Sequence, residues 1–153
     1  MTASAALTEL GLELPQTAAP IGSYQPAVRL GDLIYTSGQL PLVQGDLSTA
    51  GKVGADVTIE AATDAARIAG LNAIAAVAQV AGGVDKIERI VKVVVYVASA
   101  TDFTAQPKVA NGASDLFAAV FGDGGVHARS AVGVSVLPLD APVEVEIIAQ
   151  VTS

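Results

Sequence analysis

The sequence predicts an α+β domain in which two helices cover one face of a mostly antiparallel sheet. Three observations carry the prediction. Residues 87–99 are rich in valine and isoleucine, which suit a pleated, half-buried strand. Residues 59–81 are almost entirely small or apolar, of helical length, and stand between a threonine and a Gly-Gly pair. Gly31-Asp32 separates two short apolar runs, which is a hairpin signal. With the remaining elements these give the order ββαβαββ.

Residues 3–10 form a candidate short amphipathic helix, stopped by Gly11, and Pro15, Pro20, Gly22 and Pro26 keep the following chain extended or turning. Residues 28–30 and 33–36 are the hairpin strands. Five glycines and prolines (Gly38, Pro41, Gly45, Gly51 and Gly54) mark residues 37–57 as a long loop region. Thr58 is the candidate N-cap of the long helix, with Glu60 favourable in its first turn and Gly82-Gly83 as its stop. That helix has few polar residues, so most of its circumference should be buried against a sheet. Residues 107–121 read as a second helix, with Pro107 in its first turn and Gly122 past its end. Strands at 130–137 and 142–151 close the chain. Residues 1–19 are read as an N-terminal extension and 20–153 as a single domain. A sheet face lined by Val, Ile and Ala but left uncovered suggests self-association.

A net charge of −7 and a pI near 4.4 argue against general nucleic-acid binding, which uses basic surface to neutralise phosphates. No apolar run approaches the length needed to span a bilayer, so no membrane role is expected. Residues 1–15 lack a basic start and contain Glu9 and Glu13, unlike a secretory signal. The absence of cysteine excludes disulfides, thiolate nucleophiles and cysteine metal sites, and fits a cytoplasmic protein. There is no phosphate-binding glycine loop of either common type and no Gly-x-Ser-x-Gly elbow. His127 is the only histidine and cannot build a multi-histidine metal site; it is read as a loop residue that helps to position Arg129.

Arg129 begins a strand with two dissimilar faces. Val132, Val134 and Val136 share one side and should fill a core, while Ala131, Gly133 and Ser135 share the arginine's side and leave a hollow. A guanidinium at the mouth of a hollow suits a small carboxylate, which it can hold through two parallel hydrogen bonds. The alternative is a surface arginine before an ordinary edge strand. In the last strand Val143, Val145, Ile147, Ala149 and Val151 form one face, with Glu144 and Glu146 on the other. Pairing of the last two strands would bring one of these glutamates near Arg129, where it could transfer protons to or from water. A solvated strand face is the alternative, and parity does not separate Glu144 from Glu146.

The segments Gly22-Ser23-Tyr24 and 31–41 (GDLIYTSGQLP) resemble the N-terminal signature of the RidA/YjgF family, also labelled endoribonuclease L-PSP-like. Residues 128–132 (ARSAV), Leu137-Pro138 and 143–146 (VEVE) resemble its C-terminal signature, in the right order and spacing. The resemblance covers about residues 20–152. It implies a chorismate-mutase-like fold and a homotrimer whose sheets enclose a central barrel, with ligand clefts between subunits. It also implies hydrolysis of reactive enamines and imines of the 2-aminoacrylate and 2-iminopropanoate type to 2-oxo acids and ammonia, without a metal or organic cofactor.

By the same resemblance Arg129 grips the substrate carboxylate, Tyr24, Ser37 and Asn111 line the pocket, and Glu144 positions or activates water. Three positions depart from the pattern. Ala131 stands where deaminating members often carry cysteine, His127 replaces a common proline, and extra residues occur around 105–109. These mark a divergent branch and keep two other readings open: a non-catalytic binder of small carboxylates, and a ribonuclease or translation inhibitor, which the acidic charge disfavours.

Overall fold

The computed structural model describes residues 1–153 apart from Ala18 and Ile21, which lie at the junction predicted between extension and domain. The chain runs α1 (Ala3–Glu9), β1 (Ala27–Leu30), β2 (Leu33–Thr36), β3 (Leu42–Val43), β4 (Asp46–Leu47), α2 (Ile59–Ala81), β5 (Ile87–Ala98), α3 (Gln106–Phe121), β6 (Ala128–Val134) and β7 (Val143–Val151). Five strands form one sheet in the order β1-β2-β7-β5-β6, and β3 pairs with β4 as a small separate hairpin.

Local chemistry explains the main boundaries. The Thr58 hydroxyl accepts the Ala61 N–H at 3.1 Å and caps α2. At its other end Gly82 takes φ 87°, the left-handed conformation that closes a helix and favours glycine. The helix buries Ala62, Ala66, Ala69, Ala73, Ile74 and Val77. Its small side chains let α3 come close: a Cβ on Gly112 would collide with the Thr63 carbonyl. Phe117, the largest fully buried side chain, fills the core from α3.

The sheet supplies the other half of the core. Val93, Val95 and Val97 of β5 and Val143, Val145 and Ile147 of β7 are buried on the helix side. Their alternate neighbours face away from the helices. β7 pairs antiparallel with both β2 and β5, so it is a central strand.

Three expectations are corrected, and one conditional pairing does not occur. The sheet is of mixed topology, because β6 runs parallel to β5. The intervening α3 is a crossover that returns the chain to the same end of the sheet, which forces a parallel pair. Three helices are present among the described residues, not two: α1 buries Ala3, Ala6 and Leu7, and its Ser4 hydroxyl donates to Asp85 at 2.7 Å. Among the described residues the sheet is open, with β1 and β6 as its edges, and no barrel closes. The last two strands do not pair, since β5 lies between them.

Candidate functional site

β6 places Arg129 by register. Its residue faces Val93 of β5, a core position, so the arginine side chain leaves the sheet on the helix side. There α3 receives it. Arg129 Nη1 donates to Asn111 Oδ1 at 2.8 Å and to Ser114 Oγ at 3.1 Å, and Nη2 reaches the Pro107 carbonyl at 3.4 Å. Asn111 and Ser114 are one helical turn apart and share a face of α3. The structure therefore brings together Arg129 and Asn111, two of the residues predicted from sequence. Ser114 was missed, although its three-residue spacing from Asn111 was the available signal.

Ala131 and Gly133 share Arg129's side, as predicted, but the valine side is not a filled core: Val132 is 43% exposed and Val136, beyond the strand, 61%, while Val134 packs half-buried against a small cluster with Ala98, Leu137 and Ala141. On the arginine side Ala131 is half-buried against the main core and Gly133 is exposed. The hollow is partly filled: a Cβ on Gly133 would come 2.8 Å from Gln106 Nε2, which donates to the Phe103 carbonyl at 2.8 Å. His127 does not touch Arg129 through a hydrogen bond of its own. Its Nε2 lies 2.9 Å from Ser114 Oγ and its Nδ1 lies 2.6 Å from the Gly125 carbonyl.

Glu144 lies elsewhere. It faces Tyr96 of β5, on the side of the sheet away from the helices. Its carboxylate is received by Gly38, where any Cβ would overlap it. Burial pushes the Glu144 carboxyl above the ordinary carboxylate range, and the nearby Glu146 charge pushes it further. Tyr96 donates its hydroxyl to Glu146 Oε1 at 2.9 Å, and this bond, with burial and the two glutamate charges, raises the phenol's pKa. Neither Tyr96 nor Gly38 was singled out from sequence. For Tyr96 the signal was a polar tip among valines on the non-core parity of β5.

Ser37 follows β2. Its hydroxyl donates to the Gln25 carbonyl at 2.6 Å and its N–H to the Pro26 carbonyl at 2.8 Å. These bonds tie the segment next to Tyr24 to the end of β2 and leave the serine oxygen able to accept. Tyr24 is half exposed. Within one chain the predicted residues thus form two groups: Arg129, Asn111 and Ala131 on the helix side at the β6 edge, and Glu144 on the open side beside Gly38, which follows Ser37. A cavity of about 660 Å³ lies between the N-terminal segment and the β3–β4 hairpin, lined by Pro15, Gln39, Leu40 and Asn72 among others, and includes none of these residues. The chemistry-bearing groups, rather than this cavity, define the candidate site.

Among the described residues no three His, Asp or Glu side chains are grouped to hold a metal ion. No helix among the described residues is long and apolar enough to cross a membrane.

The family model described as "YjgF/chorismate mutase-like, putative endoribonuclease" matches residues 4–151. Protein TCP17 of Trypanosoma cruzi is 40% identical over 151 residues, covering 98% of this chain and 94% of the relative. The 2-iminobutanoate/2-iminopropanoate deaminase of Escherichia coli is 34% identical over 131 residues, covering 86% and 89%. The crystal structure of a protein of unknown function from Agrobacterium tumefaciens superposes with a TM-score of 0.90 at 40% identity, covering 99% of this chain and 94% of that one.

Proposed function

The chain belongs to the RidA/YjgF family, and from that premise we propose that it hydrolyses reactive imines and enamines of small 2-amino acids to 2-oxo acids and ammonia. The observation that carries the reading is the fixed guanidinium of Arg129, held from α3 by Asn111 and Ser114 beside the small residues Ala131 and Gly133. Such a group binds a planar carboxylate through paired hydrogen bonds. The similarity to a 2-iminobutanoate/2-iminopropanoate deaminase supports the choice of substrate class.

The reaction asks little of the protein beyond placement. In the protonated imine the carbon is already electrophilic. Water oxygen bonds to that carbon, and one water proton passes to the Glu144 carboxylate. The resulting carbinolamine receives that proton on nitrogen, the C–N bond breaks, and the hydroxyl proton leaves with ammonia as ammonium. The 2-oxo acid remains. The enamine enters after its own tautomerisation to the imine. Glu144 suits a group that both takes and returns a proton, because burial and Glu146 move its carboxyl toward neutral pH. Tyr24 and Ser37 line the cleft in this proposal.

Arg129 and Glu144 leave the sheet on opposite sides, so one ligand meets both only where two copies adjoin. We take the working assembly to be a homotrimer with its clefts between subunits. The uncovered side of the sheet supports it: Val28, Tyr35 and Val132 are 57%, 42% and 43% exposed.

A coupled assay tests the activity. An amino-acid oxidase generates 2-iminopropanoate while semicarbazide competes for it. The expected result is faster imine loss with the wild type and not with Arg129→Ala. No acceleration with several amino-acid precursors, together with retained binding of 2-oxo acids, would replace hydrolysis by carboxylate binding. Cleavage of RNA by a nuclease-free preparation would favour the third reading.

A further inference from the structure

Arg129 has five N–H donors, and three already have partners. Both hydrogens of Nη1 are used, by Asn111 Oδ1 and Ser114 Oγ. The Nη1/Nη2 edge is therefore closed to a ligand, and Nε with one hydrogen of Nη2 remain as the donors without a partner. Which edge faces the ligand depends on what holds Nη1.

With the imidazole neutral, the Ser114 bond has one direction. The Gly125 carbonyl can only accept, so the His127 Nδ1 at 2.6 Å carries the hydrogen. In the neutral ring Nε2 is then an acceptor, and it lies 2.9 Å from Ser114 Oγ. Ser114 gives its hydroxyl hydrogen to His127, which leaves its oxygen lone pairs for the Arg129 N–H at 3.1 Å. A continuous run of donors thus goes from Arg129 through Ser114 and His127 to the main chain.

The far end of this run is rigid. Gly125 is buried, and a Cβ there would collide with the Phe117 carbonyl, so its backbone is pressed onto α3. The Phe117 ring meets the imidazole edge-on, with centroids 5.7 Å apart at 82°. Both the tautomer and the plane of His127 are set by groups with no freedom of their own.

We infer that Ser114 and His127 are positioning residues that act on the ligand through Arg129, turning its Nε/Nη2 edge toward the carboxylate. This rests on the carboxylate-binding role of Arg129 proposed above. Neither residue touches the reacting atoms.

The test measures kcat and KM for 2-iminopropanoate hydrolysis, and separately the Kd for 2-oxobutanoate by calorimetry, in wild type, Ser114→Ala, His127→Ala, the double variant and Ser114→Thr. The expected result is a loss of about tenfold in kcat/KM for each alanine variant, lying mainly in KM, because carboxylate binding is shared by ground and transition states. Kd should weaken by a similar factor. The double variant should be little worse than either single one, since both interrupt the same run. Ser114→Thr, which keeps the hydroxyl, should recover most of the loss. A merely structural role would not give that rescue together with a KM-weighted loss. Unchanged KM and Kd in both alanine variants, or fully multiplicative losses in the double variant, would overturn the inference. A wild type that binds 2-oxobutanoate without hydrolysing the imine would sink the deaminase reading while the Kd series still decides the relay. A wild type that does neither overturns both.

Discussion

Arg129 and Glu144 stand on opposite faces of the same sheet. Arg129 pairs with Val93 and turns toward α3, whereas Glu144 pairs with Tyr96 and turns away from the helices. A strand pair cannot bring them to one ligand within a chain, because paired residues share a face. If both serve one imine, one copy supplies the arginine and a neighbour the glutamate. Mixing Arg129→Ala with Glu144→Gln chains, each inactive alone, should then restore activity. Random mixing in a closed ring makes roughly a quarter of the sites intact. The check is specific activity after co-refolding the two variants. No recovery in mixed oligomers confirmed by mass would show that both groups come from one chain.

Charge on Glu144 is opposed by burial first and by Glu146 second, so its carboxyl holds a proton to higher pH than usual. The sign follows from linkage. A carboxyl whose folded pKa is raised adds stability that is complete below its unfolded pKa and is lost as pH rises through the folded one. Glu144→Gln removes that dependence. Its melting temperature should exceed wild type at pH 7.5 by a small margin, on the order of one or two degrees, and the gap should close toward pH 4. Melts at equal chain concentration across this range decide it; a gap that widens with acid contradicts the assignment.

Alternation of side chains is legible in the sequence alone and correctly puts Arg129, Ala131 and Gly133 on one side of β6. It does not say which side the helices cover. Valines at 132, 134 and 136 point to a buried face, but α3 lies over the arginine side, and Val132 is left exposed. The same limit hides the strand order. β7 alternates as a half-buried strand whether its neighbour is β6 or β5, so its insertion between β2 and β5 is a non-local result that local pattern does not encode. Helix α2 is legible because its cap, its length and its stop agree. Family resemblance puts Arg129 and Asn111 in one pocket but not in contact, whereas the spacing of Ser114 and the parity of Tyr96 are faint signals whose partners are fixed only once α3 and β7 are in place.

Gly38 gives a way to move Glu144 without touching it. The added methyl of Gly38→Ala would overlap the Glu144 carboxylate, and the neighbour that must yield is the end of a flexible side chain. The backbone at Gly38 is not in the left-handed region, so alanine brings no conformational strain there. Activity should therefore fall while the fold survives. A kcat loss of about 10- to 100-fold with a urea midpoint close to wild type is expected, since misplacing a proton-transfer group costs that much. Unchanged kcat would place Glu144 outside the chemistry.

Gly112 sets two general tendencies against each other. Alanine is the better helix former by about 1 kcal/mol, so propensity alone favours Gly112→Ala in the middle of α3. Packing opposes it, because the new Cβ would collide with the Thr63 carbonyl of α2, a backbone atom that cannot swing aside. Overpacking of this kind typically costs about 1–3 kcal/mol. The contact is with main chain, so packing should win and the variant should unfold at lower urea with its m-value unchanged. The same displacement should reach the site. Asn111 and Ser114 flank Gly112 on α3, and moving the helix away from α2 shifts both partners of Arg129 Nη1. The fall in kcat/KM should accordingly persist at temperatures where the variant is fully folded, and Ser114→Ala added to it should have less effect than in the wild type. A variant more stable than wild type would mean that the helices part at no cost and that their close approach does not fix the arginine.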